Sequence, residues 1–478
     1  MADRNVLQAA GDFDLDGALI IGSSGRRINI IDQLRELNIY QSIDAPFMSG
    51  NIVLADSAGV AELLPILGQE RLLFSLKTPG HRESVSFNDY HAIIYNVQKR
   101  FHTTEREQTY LLNFTTLDHY KNLRTKISAS FKGTISEIVL KILKDENYLG
   151  TNKPISIEET LNNRNFVIPN MNPFRAINLL KREAISKDEQ APYFLFFENQ
   201  EGYHFRSFDS LIGYKQKTNM PHKRVYKFQP PAPGNIKTDP ELSLGNILHW
   251  ELTDNQNSFL NVKLGMTAST LYTHDIFNKN IQKFEYSYMK RYSKRNNTNQ
   301  EHKNSGTLLS QAKIDDKTIS EHPNSKIFVH PTASEKLHTE GTDNNAEEWL
   351  QENRSRLLEM EYFTIKIETY GDTDITVGDL VNIKIPSNKP LAATGGKEAM
   401  DPILSGRYLI TSLHHQVVPT DQMHTMVMTA MKDSVSAAAP VKDLQWLKEL
   451  KGKIDFGLKK SKSKFAIRTA TAIVGVRG

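Results

Sequence analysis

Apolar and polar residues alternate with a period of two over much of the first 117 residues. Leu72, Phe74 and Leu76 interleave with Leu73, Ser75 and Lys77, and Tyr110, Leu112 and Phe114 form a second such run. Side chains two apart share one face of a strand, so the pattern predicts strands with one face in a core. Punctuators separate the runs at Met48-Ser49-Gly50, Ala55-Asp56-Ser57 and Thr78-Pro79-Gly80, the rhythm of a small antiparallel barrel. One stretch carries two periods at once. Ile30, Ile31, Leu34 and Leu37 fit a helix, whereas Leu37, Ile39 and Gln41 fit a strand, and spacing alone supports both.

Near residue 118 the period lengthens to that of a helix. Thr134 followed by Glu137 forms a capping box, and Ile135, Ile138, Val139, Ile142 and Leu143 then fall on one face. Asn172-Pro173 predicts a second helix start, with a side-chain cap and a ring whose fixed φ suits the first turn, running through Ile177 and Leu180 towards Ala184. Tyr193–Phe197 and Tyr203–Phe208 flank Glu198-Asn199-Gln200-Glu201-Gly202 and read as a hairpin. This part of the chain therefore predicts an α+β unit.

Pro230-Pro231-Ala232-Pro233-Gly234 reads as a stiff connector. Lys290–Asn345, rich in Asn, Ser, Lys, Thr and His, reads as a long loop or loosely ordered insertion. Order returns at Ala346, where Trp349, Leu350, Arg354, Leu357 and Leu358 predict a helix; Phe363, Ile365 and Ile367 then alternate with Thr364, Lys366 and Glu368. Turns at Gly371-Asp372 and Gly378-Asp379 enclose Ile375 and Val377 and lead to Val381, Ile383 and Ile385; Arg407–Val418 and His424–Met431 add two strands, making a second barrel-like unit. The two β regions echo each other. Gly68-Gln69-Glu70 and Gly378-Asp379 each precede alternating apolar residues, ending at Pro79 and Pro386.

Composition narrows the class. The 478 residues, 39% hydrophobic, suffice for about three domains at roughly 150 residues each. A mean hydropathy of -0.47, with no run near the roughly 18 apolar residues a bilayer needs, predicts no membrane-spanning segment. Met-Ala-Asp-Arg-Asn at the start shows no secretory signal. With no cysteine, disulfides, thiolate metal sites and cysteine nucleophiles are excluded, which fits folding in a reducing cytoplasm. The net charge of +4 conceals an asymmetry: residues 441–478 hold ten Lys/Arg against three Asp/Glu, leaving 49 against 52 in the rest. A basic tail on a nearly neutral body suggests a partner of its own, whether an acidic protein surface, a nucleic acid or a membrane face.

Candidate chemistry is sparse. Asp12, Asp14, Asp16 and Gly17 copy the first half of a calcium loop, but the position that needs a bidentate glutamate is Ser23, so a solvated acidic segment is expected. Thr394-Gly395-Gly396-Lys397 ends like a phosphate loop yet has Leu391 where the earlier glycine belongs. His322, His330 and His338 are eight apart in the least patterned segment, and His414-His415 point to opposite faces of a strand. Carboxylate pairs such as Glu105 and Glu107 are expected by chance among 55 acids. No catalytic, cofactor or metal residue is assigned. In the tail, Leu444, Leu447, Leu450, Ile454 and Leu458 have helical spacing with Trp446 nearby, followed by a lysine run from Lys459 and Lys460 to Lys464. Leu444, Trp446, Leu447, Leu450, Ile454, Lys459 and Lys460 are the candidate partner contacts, for a membrane surface, phosphates or a neighbouring subunit.

Several β segments resemble the baseplate hub proteins of contractile-tailed bacteriophages. The resemblance runs from Ile39-Tyr40-Gln41-Ser42-Ile43 through Ser49-Gly50-Asn51-Ile52 and Ala55-Asp56-Ser57 to Leu64-Pro65-Ile66-Leu67-Gly68-Gln69-Glu70. It continues with Ser130-Phe131-Lys132-Gly133, Phe166-Val167-Ile168-Pro169, Pro173-Phe174-Arg175-Ala176-Ile177, Phe196-Phe197-Glu198 and Gly202-Tyr203. It closes with Gly378-Asp379-Leu380-Val381 through Leu404-Ser405-Gly406-Arg407-Tyr408-Leu409-Ile410-Thr411. No single motif is specific; their order spans about residues 18 to 433, and the tail and residues 290–345 depart from it.

The resemblance implies a β-rich α+β multidomain protein with two tube-like antiparallel β-barrel domains, an α+β domain and an inserted loop-rich domain. On that basis residues 1–117 form the first barrel, 118–222 the α+β domain, 223–265 and 346–433 the second barrel, 266–345 the insert, and 434–478 the basic tail with its amphipathic helix. It further implies a non-enzymatic virion protein of the tail baseplate, assembled in the host cytoplasm. Three chains would form a ring of six barrels adapting a sixfold tail tube to a threefold central spike. Expected partners are the tail tube or a tube-initiator protein, the central spike protein, other baseplate proteins and the tape measure protein. Alternative readings are the spike base of a related contractile injection or type VI secretion machine, and a tail-associated cell-wall hydrolase.

Overall fold

The computed structural model describes residues 6–64, 66–213, 222–228, 239–255, 257–292, 295–299, 301–302, 313–314, 317–318, 321–332, 343–360, 363–388 and 399–435. The period-2 runs at the start of the chain become six strands: β1 (Asp14–Ile21), β2 (Leu34–Ser42), β3 (Ser49–Asp56), β4 (Arg71–Lys77), β5 (Ala92–Thr104) and β6 (Glu107–Thr116). Their hydrogen-bonded order is β1-β4-β5-β6-β3-β2, antiparallel at every step. The sheet curls around Ile20, Leu37, Ile39, Ile52, Leu54, Leu72, Phe74, Leu76, Ile94, Leu112 and Phe114, all buried. The stretch with two periods resolves as a 3-10 turn, Ile31–Gln33, leading into β2. Strand geometry wins there because Leu37 and Ile39 must face this interior while Asn38 and Tyr40 face the other way.

Six more strands form the second cylinder: β7 (Arg224–Phe228), β8 (Asn246–Asn255), β9 (Phe363–Tyr370), β10 (Leu380–Lys384), β11 (Gly406–Val418) and β12 (Met423–Met431). Their order is β7-β10-β11-β12-β9-β8, and a short parallel β8–β7 contact, Asn246 with Lys227 and Ile247 with Phe228, closes the ring. Adding six to each label of the first cylinder reproduces this order. The one reversal is in the first strand, since β1 runs antiparallel to β4 whereas β7 runs parallel to β10. Ile247, Ile365, Ile367, Val381, Ile383, Leu413, Met426 and Met428 fill the interior.

The echo seen in sequence is a matched structural device at the start of the fourth strand of each cylinder. Gly68 and Gly378 have φ of +94 and +90, conformations that an L side chain rarely adopts. The Glu70 carboxylate accepts the Leu67 amide at 2.9 Å, and that of Asp379 accepts the Thr376 amide at 2.9 Å, in both cases three residues back. The backbone carbonyl of Glu70 accepts the amide of Ile94, and that of Asp379 the amide of Ile410, each at 2.9 Å and each from the fifth strand.

Between the cylinders, helix α1 (Ile135–Lys144) starts with both halves of the predicted capping box, Thr134 and Glu137. Helix α2 (Pro173–Leu180) starts where predicted but ends earlier, and the Asn172 side chain does not cap it. Instead the Asn122 carboxamide accepts the Phe174 amide at 2.9 Å, while Asn172 donates to the Asn122 carbonyl at 2.6 Å. The hairpin is Phe194–Asn199 with Gly202–Ser207, followed by the short helix α3 (Phe208–Ile212). Between β8 and β9 the chain leaves the second cylinder at the position of the β2–β3 turn in the first. It builds a three-stranded sheet from Ala268–Asp275, Asn280–Ser287 and Ile327–Thr332, backed by helix α4 (Ala346–Met360). The segment read as a loop thus contains a strand at 327–332, missed because Ile327, Val329 and Pro331 face outward and Phe328 is the one apolar residue on its inner face. The Pro230–Gly234 connector lies outside the described residues.

Candidate functional site

The residues that hold the cylinders together form the best-defined polar constellation in the protein. Strands β2 and β11 pair antiparallel from Ser42 with Ser412 to Leu37 with Val417, so both cylinders share one sheet. The side chains on this seam add His414 Nε2 with Asn38 Oδ1 at 2.7 Å, Gln416 Nε2 donating to Glu36 Oε1 at 2.8 Å, and the Tyr40 and His414 rings stacked at 4.6 Å.

A second lock forms where the loop after β4 meets the loop after β9. Thr78 and Thr373 each donate a backbone amide to the other's hydroxyl at 3.0 Å. Beside them, His81 Nδ1 lies 2.8 Å from Asp372 and 3.4 Å from Asp374, and its Nε2 lies 3.2 Å from Glu241. Arg224 Nε approaches the other oxygen of Asp372 at 2.6 Å. The hydrogen bond to Asp372, with the surrounding carboxylates, pushes His81 up to about 9, so it is an imidazolium at neutral pH. Burial would raise the Asp372 carboxyl, but His81 and Arg224 hold it below the usual carboxylate range. Among the described residues His81, Asp372 and Asp374 are the group spaced for a metal ion. An imidazolium offers no lone pair, and Arg224 already neutralises Asp372, so the chemistry of this set suits a clamp rather than a ligand shell.

Two buried ion networks fix the remaining parts to this frame. Arg356 on α4 is 1% exposed; its Nη1 reaches Glu359 and Asp433 at 3.1 Å each, and its Nη2 reaches Asp209 at 2.8 Å and the Asn296 carbonyl at 2.6 Å. Those partners come from α4, the end of β12, α3 and the segment before residue 300. Carboxylates keep the guanidinium charged despite burial and the neighbouring Arg295. Lys153 pairs with the fully buried Glu198, which also accepts the Thr116 hydroxyl at 3.0 Å and the Met48 amide at 3.3 Å. This joins the α+β part to the first cylinder. Burial pushes the Glu198 carboxyl up, against the opposing pull of Lys153.

Histidines of opposite character give the assembly a predictable pH response. His415 Nδ1 and His424 Nε2 lie 3.1 Å apart inside the second cylinder, and burial lowers His424 to about 4 and His415 well below its usual value. Burial likewise lowers His204 to about 4. A histidine kept neutral by folding loses stability as pH falls from about 6.5 towards 4, because only the unfolded chain takes up the proton; His424 alone contributes about 3 kcal/mol across that window. His81 is the reverse case: its contribution is complete below about 6.5 and is lost as pH rises through 9. Thermal unfolding midpoints are therefore expected to peak near pH 6.5 and fall on both sides. His81→Ala should flatten the alkaline fall and leave the acid one; an unchanged alkaline limb would refute the clamp.

The structure separates most residues singled out by pattern. Asp12 accepts the amides of Gln8 and Ala9 at 3.0 and 2.7 Å, while Asp14 and Asp16 belong to β1, so the three do not converge. Glu105 and Glu107 sit at the exposed tip of the β5–β6 hairpin, not in a cleft. His414 and His415 do face opposite ways. Thr394–Lys397, His338 and all seven tail contacts, Leu444 to Lys460, lie outside the described residues. Pattern reading missed His81, Arg224, Arg356, Lys153 and Glu198, whose partners lie between 3 and 293 residues away. The one legible signal was Arg356 and Glu359 next to apolar positions of a helix whose buried face also includes Trp349, Gln351, Ser355 and Leu358.

No protein-family model matches the chain. It is 22% identical over 427 residues to the probable baseplate hub protein gp334 of Vibrio phage KVP40, covering 84% of this chain and 90% of that protein. In structure it is similar to the tail protein of Neisseria meningitidis MC58, with a TM-score of 0.50 at 12% identity over 88% of this chain and 97% of that one. The 43 kDa tail protein of prophage MuSo2 from Shewanella oneidensis gives a TM-score of 0.48 at 10% identity, over 89% and 100%. The chain thus has a tail-protein fold, and its relatives support a structural, non-enzymatic role in a phage tail or baseplate. Of the particular proteins compared, the baseplate hub protein is the one that the order of sequence motifs also resembles.

Proposed function

We propose that this chain is the hub of a contractile phage baseplate, forming a homotrimeric ring that adapts a sixfold tail tube to a threefold central spike. The observation that supports this reading is the strand order repeated in the two cylinders, β1-β4-β5-β6-β3-β2 and β7-β10-β11-β12-β9-β8. Three copies of a chain with two look-alike cylinders offer six near-equivalent units on one face. The single-copy parts, namely the α+β part and the insert after β8, repeat only three times and suit a threefold partner. The buried ion networks make the two cylinders and these parts one stiff block, as a piece bearing load between tube and spike requires. In this reading the partners are the tube or tube-initiator protein, the spike, other baseplate proteins and the tape measure protein. The setting is the virion baseplate after assembly in the host cytoplasm.

Light scattering on the purified chain, alone and with its spike protein, tests the reading. The expected mass is three times the chain's 54.3 kDa, with images showing sixfold-like density on one face and threefold on the other. A monomer at high concentration, both alone and with the spike protein, would overturn it.

A further inference from the structure

Within one chain, the cylinders join through the second strand of the first, β2, and the fifth strand of the second, β11. The start of β11, Gly406–Leu409, pairs with β10, Leu409–Val418 pairs with β12, and Ser412–Val417 takes β2 on the same edge as β10. The equivalent fifth strand of the first cylinder, β5, has the same 13-residue length. It meets β4 only at Ala92 and Ile93, and among the described residues no strand lies on that edge from Tyr95 onward. The equivalent second strand of the second cylinder, β8, meets β7 only at Asn246 and Ile247, and among the described residues its edge from Leu248 onward is open too. The chain thus carries one used seam and both halves of an unused one.

We propose that β5 of one copy pairs antiparallel with β8 of a second copy, repeating the β11–β2 seam between chains. This rests on the trimer reading and says which strands close the ring: three seams within chains alternate with three between them. Unpaired strand edges of this length otherwise template uncontrolled association, and a head-to-tail contact repeated between copies generates a ring when its rotation closes.

The register follows from the pairings already described. Both fifth strands carry a bulge at the same place, Ile94/Asn96 opposite β6 and Ile410/Ser412 opposite β12; β5 has two more, at Gln98/Phe101 and His102/Thr104, so equivalent positions beyond the first bulge are matched through their partners on β6 and β12. Phe101 pairs with Thr109 as Gln416 pairs with Thr425. Asn38 pairs with Asn51 as Glu251 pairs with Lys366. The contact of Gln416 with Asn38 within the chain therefore becomes Phe101 against Glu251 between copies, and that of Val417 with Leu37 becomes His102 against Trp250. The surfaces suit one another. Tyr95 and Phe101 are 50% and 54% exposed and Leu248 is 42% exposed, while the exposed Lys99 and Arg100 immediately precede the position that faces the acidic Glu251.

The absence of native cysteine allows a clean test, since directly opposed strand residues lie within disulfide range. Under mild oxidation the Phe101→Cys/Glu251→Cys double variant is expected to run as a covalent trimer on denaturing gels. An equal mixture of the two single variants should give covalent dimers. The Val167→Cys/Glu251→Cys variant, whose first site is more exposed than Phe101 but off both cylinders, should stay uncrosslinked. No crosslink in a particle of trimeric mass overturns this seam and leaves the trimer standing. A monomeric mass overturns both, and equal crosslinking of the control overturns the specificity of the seam.

Discussion

Replacing Arg356 by Met is expected to destabilise the protein by about 3–5 kcal/mol. The guanidinium is the common partner of Asp209, Glu359 and Asp433, and all three acids are buried. Removing it strands several charges in a region that water cannot reach, a cost that apolar packing by Met does not offset. Arg295 still pairs with Glu359 at 2.8 Å, so Asp209 and Asp433 carry most of the penalty. Lysine is not expected to restore the loss, because the guanidinium fork serves four acceptors from two nitrogens in fixed directions. Urea unfolding of Arg356→Met, Arg356→Lys and an Arg354→Ala control measures this. A shift below about 1 kcal/mol for the methionine variant would mean the acids find other partners.

Lys153→Met should cost a similar amount, about 3–5 kcal/mol, by leaving Glu198 buried without its cation. Two further readouts separate this from lost packing. Adding Glu198→Gln should recover most of the loss, because a carboxamide oxygen can still accept from Thr116 and Met48 without a charge to desolvate. The loss in the single variant should also shrink as pH falls, since Glu198, already pushed up by burial, then takes up a proton more readily. A double variant no better than the single one would place the effect in the loss of the lysine ammonium from over the Tyr90 and Tyr203 rings instead.

Much of the fold could be read along the chain because it rests on local periodicity. Leu72, Phe74 and Leu76 alternate because one face of β4 must enter a core, and Thr134 with Glu137 caps α1 through groups three residues apart. The repeated Gly-acid device was legible for the same reason: a positive φ and a carboxylate folded onto the amide three residues back are local requirements. The frame that holds the parts together was not legible. His81 and Asp372 are 291 residues apart, and nothing near either residue marks it as a partner of the other. The Asn172 cap failed for a related reason, since Asn122, fifty residues earlier in the chain, competes for the same helix start.

The amino-acid sequence by itself determined that this is a cysteine-free, β-rich chain with two similar barrel regions around an α+β segment, because strand alternation, caps and turns are written in neighbouring residues. Only the tertiary structure decided that the strand order of the two cylinders is the same, that β2 and β11 join them, and which two strand edges are left open among the described residues. Those are properties of pairing between distant segments, and hydrogen bonds along a backbone edge are available to any strand of suitable length, so no side-chain pattern names the partner.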